Sequence, residues 1–143
     1  MAKEKTEAEV PLNAPTEEAA RKAALLPPGK PVVTRPEHCC VHHYWAVVET
    51  NGTLVRGRNA VSSKRLATGQ YEVFFTGDVS RGVYVATIGR PGIFTEPAGE
   101  IGVALRFVLS PSSPNFNKGV WVDTHDSSGK ASDRAFHLEV HVD

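Results

Sequence analysis

The stretch 70–89 constrains the fold most. It holds two short runs rich in β-branched and aromatic residues, 71–75 and 83–88, joined by a polar link punctuated with glycine. That is the signature of two adjacent β-strands. In the first run Tyr71, Val73 and Phe75 alternate with Glu72 and Phe74, so one aromatic ring points opposite to its neighbours. In the second, Val83, Val85 and Thr87 oppose Tyr84, Ala86 and Ile88. Apolar residues therefore lie on both faces, and strands of that kind are covered on both sides. In a domain of this size the second cover is expected to be another subunit.

The chain from Tyr44 onward repeats the same unit. Residues 44–50 read as a strand. Asn51-Gly52 reads as a hairpin turn of type I′, in which both central residues take positive φ. Residues 53–57 are its return, 60–66 the next strand, and Ala67-Thr68-Gly69 a turn. Beyond the opening stretch, a loop with Pro91-Gly92 and Pro97 spans 90–99, and a strand spans 100–109. A second long loop with Pro111 and Pro114 spans 110–119. Strands over 120–126 and 135–142 flank the turn Ser127-Ser128-Gly129. The last strand alternates cleanly, with Phe136, Leu138, Val140 and Val142 opposite His137, Glu139, His141 and Asp143. In the strand before it, Val120, Val122 and Thr124 oppose Trp121, Asp123 and His125. Turn signals about every 8–12 residues and about eight short strands predict an all-β domain. The expected form is an antiparallel sandwich or a jelly-roll-like small barrel.

Residues 1 to 37 are of another kind. They carry six of the ten prolines and no aromatic residue, the composition of an arm or tether. The expected division is thus an arm over 1–37 and an all-β domain over 38–143. One island in the arm has helical signals. Thr16 can cap it, Glu17-Glu18 precede Arg21-Lys22, and Pro27-Pro28 end it. So short a helix is unstable alone in water. Thr16, Leu25 and Leu26 are therefore expected to dock on a partner protein.

Charge narrows the partners. Sixteen basic side chains balance 16 acidic ones, for a formal net charge of +0. No footprint favours nucleic acid or an anionic membrane. The local basic group Arg56, Arg58, Lys64 and Arg65 reads as a solvated rim. No apolar run of about 18 residues exists to span a membrane. The first residues lack the apolar core of a secretory signal, so synthesis in the cytoplasm without such a signal is expected. Asn51-Gly52-Thr53 fits a glycosylation sequon that this route would not use.

Three clusters carry candidate chemistry. The segment His38-Cys39-Cys40-Val41-His42-His43 packs thiols and imidazoles together, donors suited to zinc. Cys39, Cys40 and His42 are the candidate ligands, with His125, or His137 with His141, to complete the set. The alternative is a linker whose small thiols pack against the domain. His137, Glu139 and His141 share one strand face, either as a second metal-type cluster or as the wet side of an edge strand. Trp121, Asp123 and His125 share another. If that face is exposed, a flat ring with convergent polar groups suits a glycan. If it is buried, Trp121 is core or a subunit contact. No sequence motif of a known catalytic machinery occurs. His125-Asp126-Ser127 has the residue types of a triad, but as sequence neighbours at a strand end they are not presumed to form one. No catalytic residue and no required cofactor are expected.

Several segments carry a resemblance. They are Tyr44-Trp45-Ala46-Val47-Val48, Asn51-Gly52-Thr53-Leu54, Gly69-Gln70-Tyr71-Glu72-Val73, Val83-Tyr84-Val85-Ala86-Thr87-Ile88-Gly89, and Asp126-Ser127-Ser128-Gly129 with Ala135-Phe136-His137-Leu138. Over residues 44–142 the chain resembles a small all-β module of actinobacterial proteins and of phage tail-fibre-like and collagen-like chains. The resemblance implies a terminal knob of a fibrous or virion protein, commonly trimeric, with some related sandwiches binding glycans. It rests on turns and strand cores, and brings no catalytic residues with it. The leading expectation is a non-enzymatic structural or attachment protein. Its arm would dock on a larger assembly such as a phage-like particle, and its β-domain would self-associate, most simply as a trimer. A carbohydrate-binding module and a metal-binding protein are the alternatives.

Overall fold

A computed structural model describes residues 42–143. The arm, with Thr16, Leu25 and Leu26, and the thiols Cys39 and Cys40 lie outside these residues. Eight strands follow in order: β1 (His42–Val48), β2 (Leu54–Arg58), β3 (Ala60–Ala67), β4 (Gln70–Phe75), β5 (Val83–Ile88), β6 (Gly99–Leu105), β7 (Gly119–Asp126) and β8 (Phe136–Val142). They form two four-stranded antiparallel sheets, β2-β1-β8-β5 and β3-β4-β7-β6, packed as a sandwich. The expected all-β sandwich is the observed fold.

Alternation builds the core. Tyr44, Ala46 and Val48 of β1 and Phe136, Leu138 and Val140 of β8 face Tyr71, Val73 and Phe75 of β4 and Val120 and Val122 of β7. Two aromatic pairs bridge the layers edge to face. Tyr44 meets Phe75 with ring centroids 5.6 Å apart, and Tyr71 meets Phe136 at 5.2 Å. Each such pair contributes about 0.5–1.5 kcal/mol beyond its burial.

The chain changes sheets twice in this region. Between β2 and β3 only Asn59 intervenes, at φ 58°. Asparagine tolerates the left-handed region, and this single kink sends the strand from one layer to the other. Between β4 and β5 the link crosses back. Its Val79 is buried in the core, and the Val79 N–H donates to the Asn117 carbonyl at 2.8 Å. The two strands of the opening stretch are thus consecutive in sequence but lie in opposite sheets. Periodicity marks a strand, whereas its neighbour is set by where the link crosses.

Two local expectations are corrected. At Asn51-Gly52 only Gly52 has positive φ, at 88°. The Gly52 N–H donates to Glu49 O, and the Glu49 N–H to Thr53 O, which closes a three-residue loop rather than a two-residue type I′ turn. The β1–β2 register shifts between Val47 and Val48 to accommodate it. The strand expected over 100–109 ends at Leu105. Its partner β7 starts at Gly119, whose carbonyl accepts from the Arg106 N–H, so residues beyond have no ladder to join. The basic group is divided: Arg56 and Arg58 lie in the first sheet, Lys64 and Arg65 in the second.

Phe74, the ring that points away from the core, is buried on the outer side of β4. A Cβ on Gly119 would sit 2.5 Å from its ring, so the bare glycine backbone forms its seat. For β4 the second cover therefore lies within the chain, and the expected subunit is not needed there. On β5 the outer residues Val83 and Val85 remain 65% and 55% exposed.

Gly69 closes the β3–β4 turn at φ 67°, and a Cβ there would lie 2.3 Å from the Thr124 carbonyl oxygen. Both conformation and space exclude a side chain. Gly69→Ala should destabilise the domain by on the order of 2–4 kcal/mol, read as the change in free energy from urea unfolding.

Candidate functional site

Register places a mixed polar and apolar surface on the outer side of β2-β1-β8-β5. Trp45 faces Arg58 on one side and Glu139 on the other, and Glu139 faces Val85. One row along, Val47 lies between Arg56 and His137, and His137 is opposite Thr87. At the far end His43 pairs with His141, which pairs with Val83. These residues enclose a groove of about 310 Å³ lined by Trp45, Val47, Val85, Thr87, His137 and Glu139. Its size is at the lower end of small-ligand sites.

The loop between β5 and β6 contacts the same outer side beside the groove, at His137 and Arg56. The Arg90 carbonyl lies 3.1 Å from His137 Nε2, and Arg56 Nη1 donates to the Pro91 carbonyl at 3.2 Å. Val47, between Arg56 and His137, is buried although it points away from the core. Glu96 anchors the loop. Its carboxylate accepts from the Ala135 N–H at 3.0 Å, from Thr50 Oγ1 and from the Arg90 guanidinium, and its side chain is 3% exposed. Desolvation opposes ionisation, but the Ala135 and Arg90 donors outweigh it and hold the carboxyl below its ordinary range. The loop tip carries Ile93 and Phe94 into solvent.

At the open end of the groove three donors converge. His141 Nε2 is 3.1 Å and His43 Nδ1 is 3.7 Å from Glu139 Oε1. The two imidazoles meet edge to face with centroids 4.6 Å apart. His43, Glu139 and His141 are the described residues whose donor atoms form a metal-type group.

Apart from Glu139 and His141, the sequence-derived candidates fall elsewhere. Trp121 is 3% exposed, with the Arg106 guanidinium 5.2 Å above its ring and Glu72 holding that guanidinium at 2.9 Å. The exposed platform that a glycan would need is therefore not at Trp121; a cation–π cover occupies it. Asp123 pairs with Gln70 and Gly102, and His125 with Glu100, both half-buried on the same outer side. Asp126 serves the β7–β8 turn, accepting from Ser128 Oγ at 2.6 Å, Ser128 N and Lys130 N. The Ser128 hydroxyl, with these amides, holds its carboxyl below the ordinary range. Among the described residues no side-chain hydrogen bond joins His125, Asp126 and Ser127 to one another. His42 is exposed and alternates to the side opposite His43, with its ring 6.5 Å from Tyr44. Of the paired donors proposed from sequence, His137 contacts Arg90 and does not join His141. Sequence reasoning named Glu139 and His141 on one strand face and His43 in a separate cluster. It lacked the β1–β8 register that unites them. Trp45 was missed as a groove residue, its only signal being an aromatic at an outward position of β1.

Among the described residues no helix is long and apolar enough to cross a membrane. Compared with protein-family models, curated proteins and solved structures, the chain finds no match.

The anchoring of Glu96 has a pH signature. Its lowered folded pKa means that its contribution is complete above the ordinary glutamate value of about 4.3 and is lost as pH falls toward the lower folded value. Glu96→Gln should cost on the order of 1–3 kcal/mol at pH 7. The variant should also lose less further stability than the parent between about pH 4.5 and pH 2, in urea unfolding curves collected across that range.

Proposed function

We propose that the protein is a non-enzymatic structural or attachment protein whose contact surface is the outer side of β2-β1-β8-β5. The observation that carries this reading is the difference between its two outer sides. On β3-β4-β7-β6, Phe74 and Trp121 are covered by Gly119 and Arg106 of the same chain. On the other side Val83 and Val85 stand open beside the Trp45 groove, on a strand that is at the edge of its sheet among the described residues. Exposed apolar surface rimmed by polar groups is characteristic of an interaction site. A formal net charge of +0 puts no long-range repulsion between copies, so a second copy is the occupant this surface fits. Residues 1–37, through Thr16, Leu25 and Leu26, would supply the link to a larger assembly such as a phage-like particle. The full chain should be oligomeric in light scattering, with a trimer the favoured state. The double change Val83→Glu and Val85→Glu should yield monomers with an unchanged circular dichroism spectrum, and removal of residues 1–37 should leave the oligomer intact. A monomeric parent chain sinks this reading.

A second reading is favoured by the composition of the groove. Trp45 stands beside Thr87, His137 and Glu139, an aromatic surface with convergent hydrogen-bonding groups. That pairing suits a sugar ring. Glycan-array binding that disappears in Trp45→Ala supports a carbohydrate-binding module; a blank array removes it.

A further inference from the structure

We propose that His43, Glu139 and His141 form a binding site for a divalent transition ion of the zinc class. The site is built on two strands paired over seven residues, His42↔Val142 to Val48↔Phe136. His43 and His141 are direct cross-strand partners, and Glu139 lies two residues along β8 on the same side. Alternation then points all three side chains the same way. β8 is held on two sides at both of its ligands, with His43 and Val83 flanking His141 and Trp45 and Val85 flanking Glu139, and His43 of β1 is laddered to β8. The His43 carbonyl has a further hold: it accepts from Asn59 Nδ2 at 3.2 Å, and Asn59 is fixed by the left-handed kink between sheets. Ligands on rigid paired strands need little reorganisation to bind.

The distances suit an ion. A tetrahedral zinc with ligands at about 2.0–2.1 Å keeps its donor atoms about 3.3–3.4 Å apart. The Glu139 oxygen is 3.1 Å from the His141 nitrogen and 3.7 Å from that of His43, values on either side of that spacing. All three donor atoms lie within 4.8 Å of one another, so small rotations close the set. The donor chemistry agrees, since two imidazole nitrogens and one carboxylate oxygen match open zinc centres with three protein ligands. Among the described residues, the ion-pair partners of Glu139 are these two histidines and no lysine or arginine. The carboxylate is thus not already committed to a permanent cation. Side-chain exposures of 46%, 48% and 38% for His43, Glu139 and His141 leave the fourth position open to solvent at the end of the groove. An ion held there keeps one site for water or an outside ligand, which sets it apart from closed structural zinc.

The inference does not depend on self-association, and the experiment keeps the two apart. The full chain, without a histidine tag and stripped with chelator, is titrated with Zn²⁺ by calorimetry and with Co²⁺ by visible absorption. Expected are one ion per chain and cobalt bands of tetrahedral intensity. Both should persist in the Cys39→Ser, Cys40→Ser double variant and in the Val83→Glu, Val85→Glu variant. His141→Ala and His43→Ala should each weaken binding by more than the about tenfold typical of disturbing an outer partner, and Glu139→Gln by about tenfold or more. All three side chains are substantially exposed, so these variants should fold, as circular dichroism would verify. Absence of binding in the parent overturns the assignment. So does binding that survives His141→Ala, or binding that is lost only with the cysteines.

Discussion

One carboxylate oxygen closes an end of this sandwich. Asp133 Oδ1, in the connection between β7 and β8, accepts from Arg65 Nε at 2.9 Å, the Gly69 N–H at 2.8 Å and the Tyr71 hydroxyl at 3.2 Å. Desolvation works against its charge, yet Arg65, Gly69 and Tyr71 together hold its carboxyl below the ordinary range. Tyr71 is fully buried, and burial, reinforced by the charge of Asp133, pushes its hydroxyl up to about 12. The single hydroxyl proton is shared between Asp133 and the nearer Thr50 carbonyl at 2.8 Å, and Thr50 Oγ1 reaches Glu96. A continuous polar chain therefore runs from β3 through Asp133, Tyr71 and Thr50 to Glu96 and the β5–β6 loop. Buried polar groups are tolerated only when their partners are in place, which makes this chain demanding of geometry. The Tyr71 ring meanwhile packs on Phe136 of the opposite sheet. A single residue thus fastens the layers through its face and the loops through its hydroxyl.

The placement of the β5–β6 loop is tied to that closure. Glu96 holds the β5–β6 loop in place, and the loop's carbonyls at Arg90 and Pro91 then meet His137 and Arg56 across the outer side of the first sheet. The second sheet is finished differently. Arg106 lies over Trp121 and is held by Glu72, a partly buried pair at 18% and 16% exposure that satisfies its own charge. On the second sheet Phe74 and Trp121 are thus covered by their own chain, whereas Val83 and Val85 of the first remain exposed.

Alternation made most of the elements legible. Val83–Ile88 is a strand at its expected limits, and the division of the last strand into Phe136, Leu138 and Val140 against His137, Glu139 and His141 is the division into core and surface. Hydrophobic period is a property of neighbouring residues, and a sheet with one packed side must respect it. The same reasoning failed where the cover is not core. Trp121 was placed correctly on the side opposite Val120 and Val122, but its burial depends on Arg106, fifteen residues earlier in the chain, and no local pattern announces that cover. Phe74 was read as a demand for a second subunit, whereas Gly119 provides the seat.

What the amino-acid order determined by itself was the class of the domain, the identity of the strands and the side of each strand that enters the core. These follow from local periodicity and from the steric needs of turns at Gly52, Gly69 and Gly129, each with positive φ. Tertiary structure alone decided which strands are neighbours. It put β4 and β5 in different sheets, set β1 beside β8, and so brought His43 to His141 and Glu139. Pairing partners and register arise from the whole packing problem, in which many strand orders satisfy the same alternation; the observed order also closes the Asp133 and Glu96 networks. A site shared between the first and last strands of a sandwich cannot be read from either strand alone.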